Sequence, residues 1–189
     1  ILSFHKIAHK RLKVRNNIIV IITKSLEKSF MRKLYDNLNE QMNYELESAY
    51  IYATMSAYLN DLNMKGMAHF IEQQVKEEME HAAKIKNFLQ SIGYCIKYRQ
   101  LNPGNGKFDS IEDVFRKALD HEKAITARID GLVKEARAEE DQRVLNILAW
   151  FVDEQIEEED IFNVLVQILE IINGQWNGLY ILDSELAGR

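Results

Sequence analysis

Apolar and polar residues recur along most of this chain at steps of three and four, the repeat of an α-helix with one buried face. Leu34, Leu38, Gln41, Glu45, Ser48, Tyr52, Met55 and Leu59 follow the pattern 4,3,4,3,4,3,4 and define one face of a long first helix. Turn residues from Asp61 to Gly66 end it. Ile71, Val75, Glu78, Ala82, Ile85 and Leu89 form the face of a second helix, with Gly93 as its stop. The short link makes these two antiparallel neighbours. Residues 94–109 hold the only proline, Pro103, with Gly104, Gly106, Asn102 and Asn105, and predict an irregular crossover long enough to run the length of a bundle. Asp109 or Ser110 then caps a third helix, faced by Ile111, Phe115, Ala118, Glu122, Ile125, Ile129, Leu132 and Ala136. Leu148, Phe151, Gln155, Glu158, Phe162, Leu165 and Leu169 face a fourth. Gly174 and Gly178 break the pattern before a last short segment near Leu179 to Leu186. The fold class is all-α: four long helices, a long crossover between the second and third, and a short fifth helix.

Length and composition agree with a single helical domain. The 189 residues, 47% of them hydrophobic, suffice to bury a core without a second domain. No apolar run approaches the roughly 18 residues of a membrane span, so no membrane partner is expected. One cysteine, Cys95, rules out an intrachain disulfide framework and a cysteine-based zinc site, and suits a reducing, cytoplasmic location. Charge is uneven. Residues 1–30 carry seven Lys or Arg against one Glu, whereas the whole chain has a net charge of −5, so the remainder is strongly acidic. An acidic body disfavours nucleic acid and favours cations. The periodic pattern opens at Met31; residues 1–30 are therefore read as a basic extension outside the fold, with a targeting segment or a membrane- or partner-binding arm as the alternatives, and residues 31–189 as the domain.

The chemistry lies where the helical faces are polar. Glu45, Glu78, Glu122 and Glu158 occupy positions at which the repeat calls for a core residue. A buried carboxylate is costly unless it is paired or bound to a cation. Glu78 and His81 are three apart, so both project from one face and can grip one ion. Any one of these has an ordinary explanation, since a solvated Glu with a surface His produces E-x-x-H by chance; the set, one carboxylate per long helix, points to a metal site. Several carboxylates with one imidazole and no thiolate suit iron(II) or manganese, and zinc could occupy the same place. Four carboxylates balance two divalent ions better than one, with Glu78 as the natural bridge.

The segments Asn39-Glu40-Gln41-Met42-Asn43-Tyr44-Glu45, Glu77-Glu78-Met79-Glu80-His81, His121-Glu122 and Glu154-Gln155-Ile156-Glu157-Glu158-Glu159 resemble those of the prokaryotic non-haem ferritins, in order and spacing, from about Met31 to Leu186. The resemblance implies a ferritin-like four-helix bundle with a short fifth helix, assembled as a homo-oligomeric twenty-four-subunit cage that oxidises and stores iron, with dioxygen or hydrogen peroxide as oxidant. It implies Glu45, Glu78 and His81 at a first iron, and Glu78, Glu122 and Glu158 at a second, with Gln155 close by. Glu77, Glu154 and Glu157 match a third iron site, although flanking glutamates on helices are commonly solvated. Tyr52 matches the tyrosine beside the diiron centre, where it can hydrogen-bond a ligand or give up an electron. Trp150 matches a tryptophan of bacterial ferritins, with core packing as the plainer reading. Met55, Met64, Met67 and Met79 are read as packing and interface residues. No haem is expected: Ile161 stands where bacterioferritins place the histidine of a second E-x-x-H.

Two other functions are compatible with such a bundle. A rubrerythrin-type diiron oxidase or peroxidase would turn over at the metals and store nothing, but the second E-x-x-H and a Cys-pair module are both missing. A purely structural bundle would satisfy its carboxylates by hydrogen bonds alone.

Overall fold

Each of the four long periodic segments is a helix. The computed structural model describes residues 33–102, 104 and 106–188, and the basic extension, residues 1–30, lies outside them. α1 is helical over residues 33–61; α2 (Lys65–Ser91), α3 (Ile111–Ala138), α4 (Gln142–Ile172) and α5 (Trp176–Leu186) follow. Every residue named on the first, third and fourth faces is buried, as is the second face apart from half-buried Val75.

The ends of the helices explain their placement. Residues 62–64 join α1 to α2 through Asn63, which adopts the left-handed conformation (φ 60°). Ser56 on α1 donates to the Ala68 carbonyl at 3.2 Å, so the two helices lie side by side from their shared turn. α2 stops where Gly93 takes φ 78°. Ser110 caps α3 by accepting from the Asp113 amide at 3.1 Å, while Asp113 accepts from the Asp109 amide at 2.9 Å, so both residues expected to start this helix take part. Asp141 caps α4 through the Arg143 and Val144 amides and accepts a hydrogen bond from Tyr35 of α1 at 2.7 Å. These links tie the α3–α4 corner to the start of α1.

The crossover contains no helix or strand among its described residues between 94 and 108. Its backbone polar groups still need partners, and two asparagines of α1 supply them. Asn39 accepts from the Lys97 amide (2.9 Å) and donates to the Lys97 carbonyl (2.8 Å); Asn43 donates to the same carbonyl and accepts from the Arg99 amide at 3.1 Å. Glu47 continues the row by accepting from the Asn102 amide at 3.0 Å. The crossover therefore runs alongside α1 in the same direction.

Two glycines read as helix breakers sit inside helices. Gly66 is in the first turn of α2, and a Cβ there would fall 1.7 Å from the Asp183 carbonyl oxygen of α5. It is a point of close backbone approach, reinforced by the Met67 amide donating to Asp183 Oδ1 at 2.8 Å. Gly178 lies within α5, where a Cβ would meet the Ile172 side chain at 2.9 Å. The actual break between α4 and α5 is made by Asn173 (φ 48°) and Gly174 (φ 70°).

The core divides into two apolar clusters. One gathers residues such as Met55, Leu59, Ile71, Phe115 and Phe162 and is closed by Leu179, Leu182 and Leu186 of α5. The other holds residues such as Leu34, Leu38, Ile85, Leu89, Ile129, Leu148 and Phe151. Along every long helix the polar seam residues fall between these two clusters.

Candidate metal centre

The polar belt brings side chains from all four long helices together. Glu45 (1% exposed), Glu78 (3%), His81 (8%), Glu122 (0%) and Glu158 (6%) are all buried. Glu45, Glu78 and His81 each offer one ligand atom, and those atoms lie within 4.8 Å of one another. His81 Nδ1 is 3.8 Å from Glu78 Oε2. Glu122 and Glu158 stand beyond this tight trio but within its electrostatic reach.

Burial dominates the protonation of the belt. It pushes Glu122 up to about 8, although hydrogen bonds from Tyr52 and Gln155 pull the other way. It pushes Glu158 up to about 9, with the charges of Glu122, Glu77, Glu154 and Glu157 adding to the effect. Glu78 is raised well above the carboxylate range by burial and then by Glu45, Glu122 and Glu158. Glu45 is raised too, mainly by burial, while hydrogen bonds from Gln41 and Glu78 favour its charged form. His81 is lowered to about 4 by burial and by the nearby Lys84 ammonium, which leaves it neutral, the form that ligates a metal. Without a cation the belt holds protons; a divalent ion can replace them.

Hydrogen bonding leaves specific atoms unused. Glu122 accepts from Tyr52 on Oε1 and from Gln155 Nε2 on Oε2 at 2.9 Å. Glu45 accepts from Gln41 Nε2 on Oε1 at 2.9 Å. Among the described residues, the buried side-chain atoms with no hydrogen-bond partner are Glu45 Oε2, Glu78 Oε2, Gln155 Oε1 and Glu158 Oε2. All four are oxygens and all lie in the belt. Orphaned buried acceptors are rare because each costs roughly 1–3 kcal/mol, and an array of hard oxygen donors beside one neutral imidazole fits iron(II) or manganese.

The surrounding residues are equally specific. Tyr52 is fully buried, stacks on Phe162 (5.8 Å between centroids, 7° between planes), and keeps its proton because burial and the neighbouring carboxylates raise its pKa well above 10. Trp150 packs edge-on against His81 at 5.4 Å and carries Lys84 Nζ 3.6 Å from its ring centroid. Glu77 and Glu157 are exposed and Glu154 is half-buried, so these three form a group outside the belt. Burial raises both Glu77 and Glu154; the Glu154 charge further raises Glu77, and the Glu157 charge further raises Glu154. Met55, Met64 and Met67 are buried in the core, whereas Met79 is 56% exposed.

Three further residues of the belt have contacts that the sequence alone does not assign. Ser48 lies 3.0 Å from the Tyr44 carbonyl and shares a 2.7 Å hydrogen bond with His121 Nε2, whose direction follows the ring tautomer. His121 in turn stacks on Tyr44 (5.5 Å) and meets Tyr52 edge-on (6.0 Å). Gln41 is a polar member of the first seam and of the segment Asn39 to Glu45, one turn before Glu45, but its bond to Arg128 comes from the fold.

Comparison with known proteins shows the family of the chain. A family model described as a ferritin-like domain matches residues 35–172. The bacterial non-heme ferritin of Staphylococcus aureus (strain USA300) is 35% identical over 158 residues, covering 84% of this chain and 95% of that protein. The corresponding protein of Staphylococcus haemolyticus (strain JCSC1435) matches with the same identity and coverage. Among solved structures, a novel open pore ferritin from the hyperthermophilic archaeon Archaeoglobus fulgidus superposes with a TM-score of 0.82 at 34% identity, covering 83% of this chain and 96% of that one. The chain therefore belongs to the ferritin family, as a relative of bacterial non-heme ferritins with a buried glutamate and histidine cluster suited to a metal ion.

Proposed function

We propose that this protein is an iron-storage ferritin with ferroxidase activity. The carrying observation is that the orphaned buried oxygens are those of Glu45, Glu78, Glu158 and Gln155, four residues of one belt. Glu45, Glu78 and His81 bind one ferrous ion as substrate. Glu78, Glu122 and Glu158 bind a second, with Gln155 beside it and Glu78 shared. Each ion gives up one electron; dioxygen takes both with two protons and leaves as hydrogen peroxide, or peroxide takes two electrons and two protons and leaves as two waters. The hard carboxylate oxygens favour the ferric product. Neutral His81 supplies a nitrogen without adding charge, and the hydrogen bond from Tyr52 holds Glu122 in place.

Ferric ions then move inward and hydrolyse to a ferric oxyhydroxide mineral inside a homo-oligomeric cage of twenty-four subunits. The outer acidic group, Glu77, Glu154 and Glu157, is a third iron position. Similarity to an open pore ferritin supports the cage. Residues 31–189 constitute the ferritin domain, and a cytoplasmic location fits the lone exposed Cys95. No helix among the described residues is long and apolar enough to cross a membrane.

Stopped-flow oxidation of ferrous iron under air tests this reading. The double variant His81→Ala/Glu122→Ala should oxidise iron at least about 100-fold more slowly, with helicity and particle mass retained. Unchanged kinetics in that variant would overturn the ferroxidase assignment. A wild-type particle of only one or two chains after iron loading would overturn storage.

A further inference from the structure

Gln41 is fully buried, and its amide stands between two partners of fixed character. Its Oε1 accepts from Arg128 Nε of α3 at 2.8 Å, and its Nε2 donates to Glu45 Oε1 at 2.9 Å. An arginine has donors and no acceptor, so only the amide oxygen can face it. The amide nitrogen is thereby forced toward Glu45. That choice has a consequence for the carboxylate: Oε1 is engaged, and Oε2 is the atom left free.

Arg128 is itself held in place. Its guanidinium carbon lies 4.1 Å from the Tyr44 ring centroid, and Tyr44 stacks on His121 at 5.5 Å. The cation is exposed at its outer end, yet its Nε–H reaches the buried amide through this stacked column. The row Arg128, Gln41, Glu45 crosses from the surface of α3 to the interior of α1 without a gap.

We propose that Arg128 is a positioning residue for the metal centre, acting through Gln41 to lock the Glu45 carboxylate so that Oε2 is the ligand atom. This rests on the reading of the belt as a metal site. Without Arg128 the Gln41 amide loses the partner that fixes its oxygen and is free to rotate away from Glu45, which leaves Glu45 Oε1 without its anchor. The carboxylate would then rotate, and the position shared by Glu45, Glu78 and His81 would lose its preformed geometry.

Cobalt(II), which is spectroscopically visible and stable in air on the timescale of a titration, tests the inference without iron oxidation. Metal-free wild type, Arg128→Ala, Gln41→Ala and the double variant are titrated while the visible bands of the bound ion are followed, with circular dichroism verifying the fold. Each single variant should weaken the first equivalent of cobalt by about tenfold or more, the effect expected for loss of a group that orients a ligand. The double variant should bind like Gln41→Ala alone, within about twofold, because Arg128 acts only through that amide. The band shape of the first equivalent should change and that of the second should not. Wild-type affinity in Arg128→Ala, or effects that multiply in the double variant, would overturn the proposal, since multiplication means that the arginine acts by its charge alone. Failure of wild type to bind cobalt would instead remove the metal site and the inference with it.

Discussion

The two apolar ends of the bundle and the polar belt between them obey opposite rules. In the ends, buried side chains such as Leu38, Ile85, Phe115 and Phe162 contribute stability simply by leaving water. In the belt, equally buried positions carry carboxyls that burial drives toward the protonated form. The same helices serve both regions, so the difference is not one of scaffold. It shows that the ends hold the belt together, and that the belt keeps groups which make the metal-free fold weaker.

The largest expected effect separates the two on the apolar side. Phe115→Ala empties a fully buried ring position in an end cluster and should cost about 3–5 kcal/mol in denaturant unfolding. A cost below about 1 kcal/mol would mean that the end is not the packed region described. The belt should respond in the opposite direction. Glu158→Leu removes a buried carboxyl whose pKa is raised to about 9, and at pH 8 it should stabilise the metal-free protein by about 1–3 kcal/mol while abolishing rapid iron oxidation.

The same contrast has a pH signature with a defined sign. Glu122 and Glu158 titrate near 8 and 9 in the fold, against 4.5 for a free glutamate. The native state therefore binds protons more tightly than the unfolded chain. Stability associated with these groups is fully present below about pH 4.5 and is lost as pH rises through 8 to 9. Urea midpoints of the metal-free protein should fall between pH 5 and pH 9, and added zinc or manganese should flatten the slope. A midpoint that rises with pH in the metal-free protein contradicts the belt's electrostatics. The smallest effect is local: Tyr52→Phe keeps the stack on Phe162 but loses the hydrogen bond to Glu122, and should cost about 1 kcal/mol of stability.

Much of this contrast is legible in the sequence because a helix buries one continuous stripe. The position of Glu45 between Leu38 and Tyr52, or of Glu122 between Ala118 and Ile125, places each carboxyl in the core whatever the neighbouring helix is. What could not be read was anything set by a partner distant in sequence. Asn39 and Asn43 lie off the apolar stripe, and what they bond is supplied by the crossover, nearly sixty residues away. Gly66 looks like a turn residue until Asp183 of α5 arrives against it. Periodicity also treats the four glutamates alike, whereas the fold gathers Glu45 and Glu78 tightly with His81 and ties Glu122 to Tyr52 and Gln155. Arg128 had no sequence signal because its partner, Gln41, lies on another helix.

Under the proposed function, the belt tolerates its carboxyls by accepting two divalent cations. Crystals of the metal-free protein soaked anaerobically with ferrous salt, with diffraction recorded across the iron absorption edge, test it directly. Two anomalous peaks are expected inside each bundle, one among Glu45, Glu78 and His81 and one among Glu78, Glu122 and Glu158. An empty belt, or iron found only on the exposed acidic surface, would contradict it.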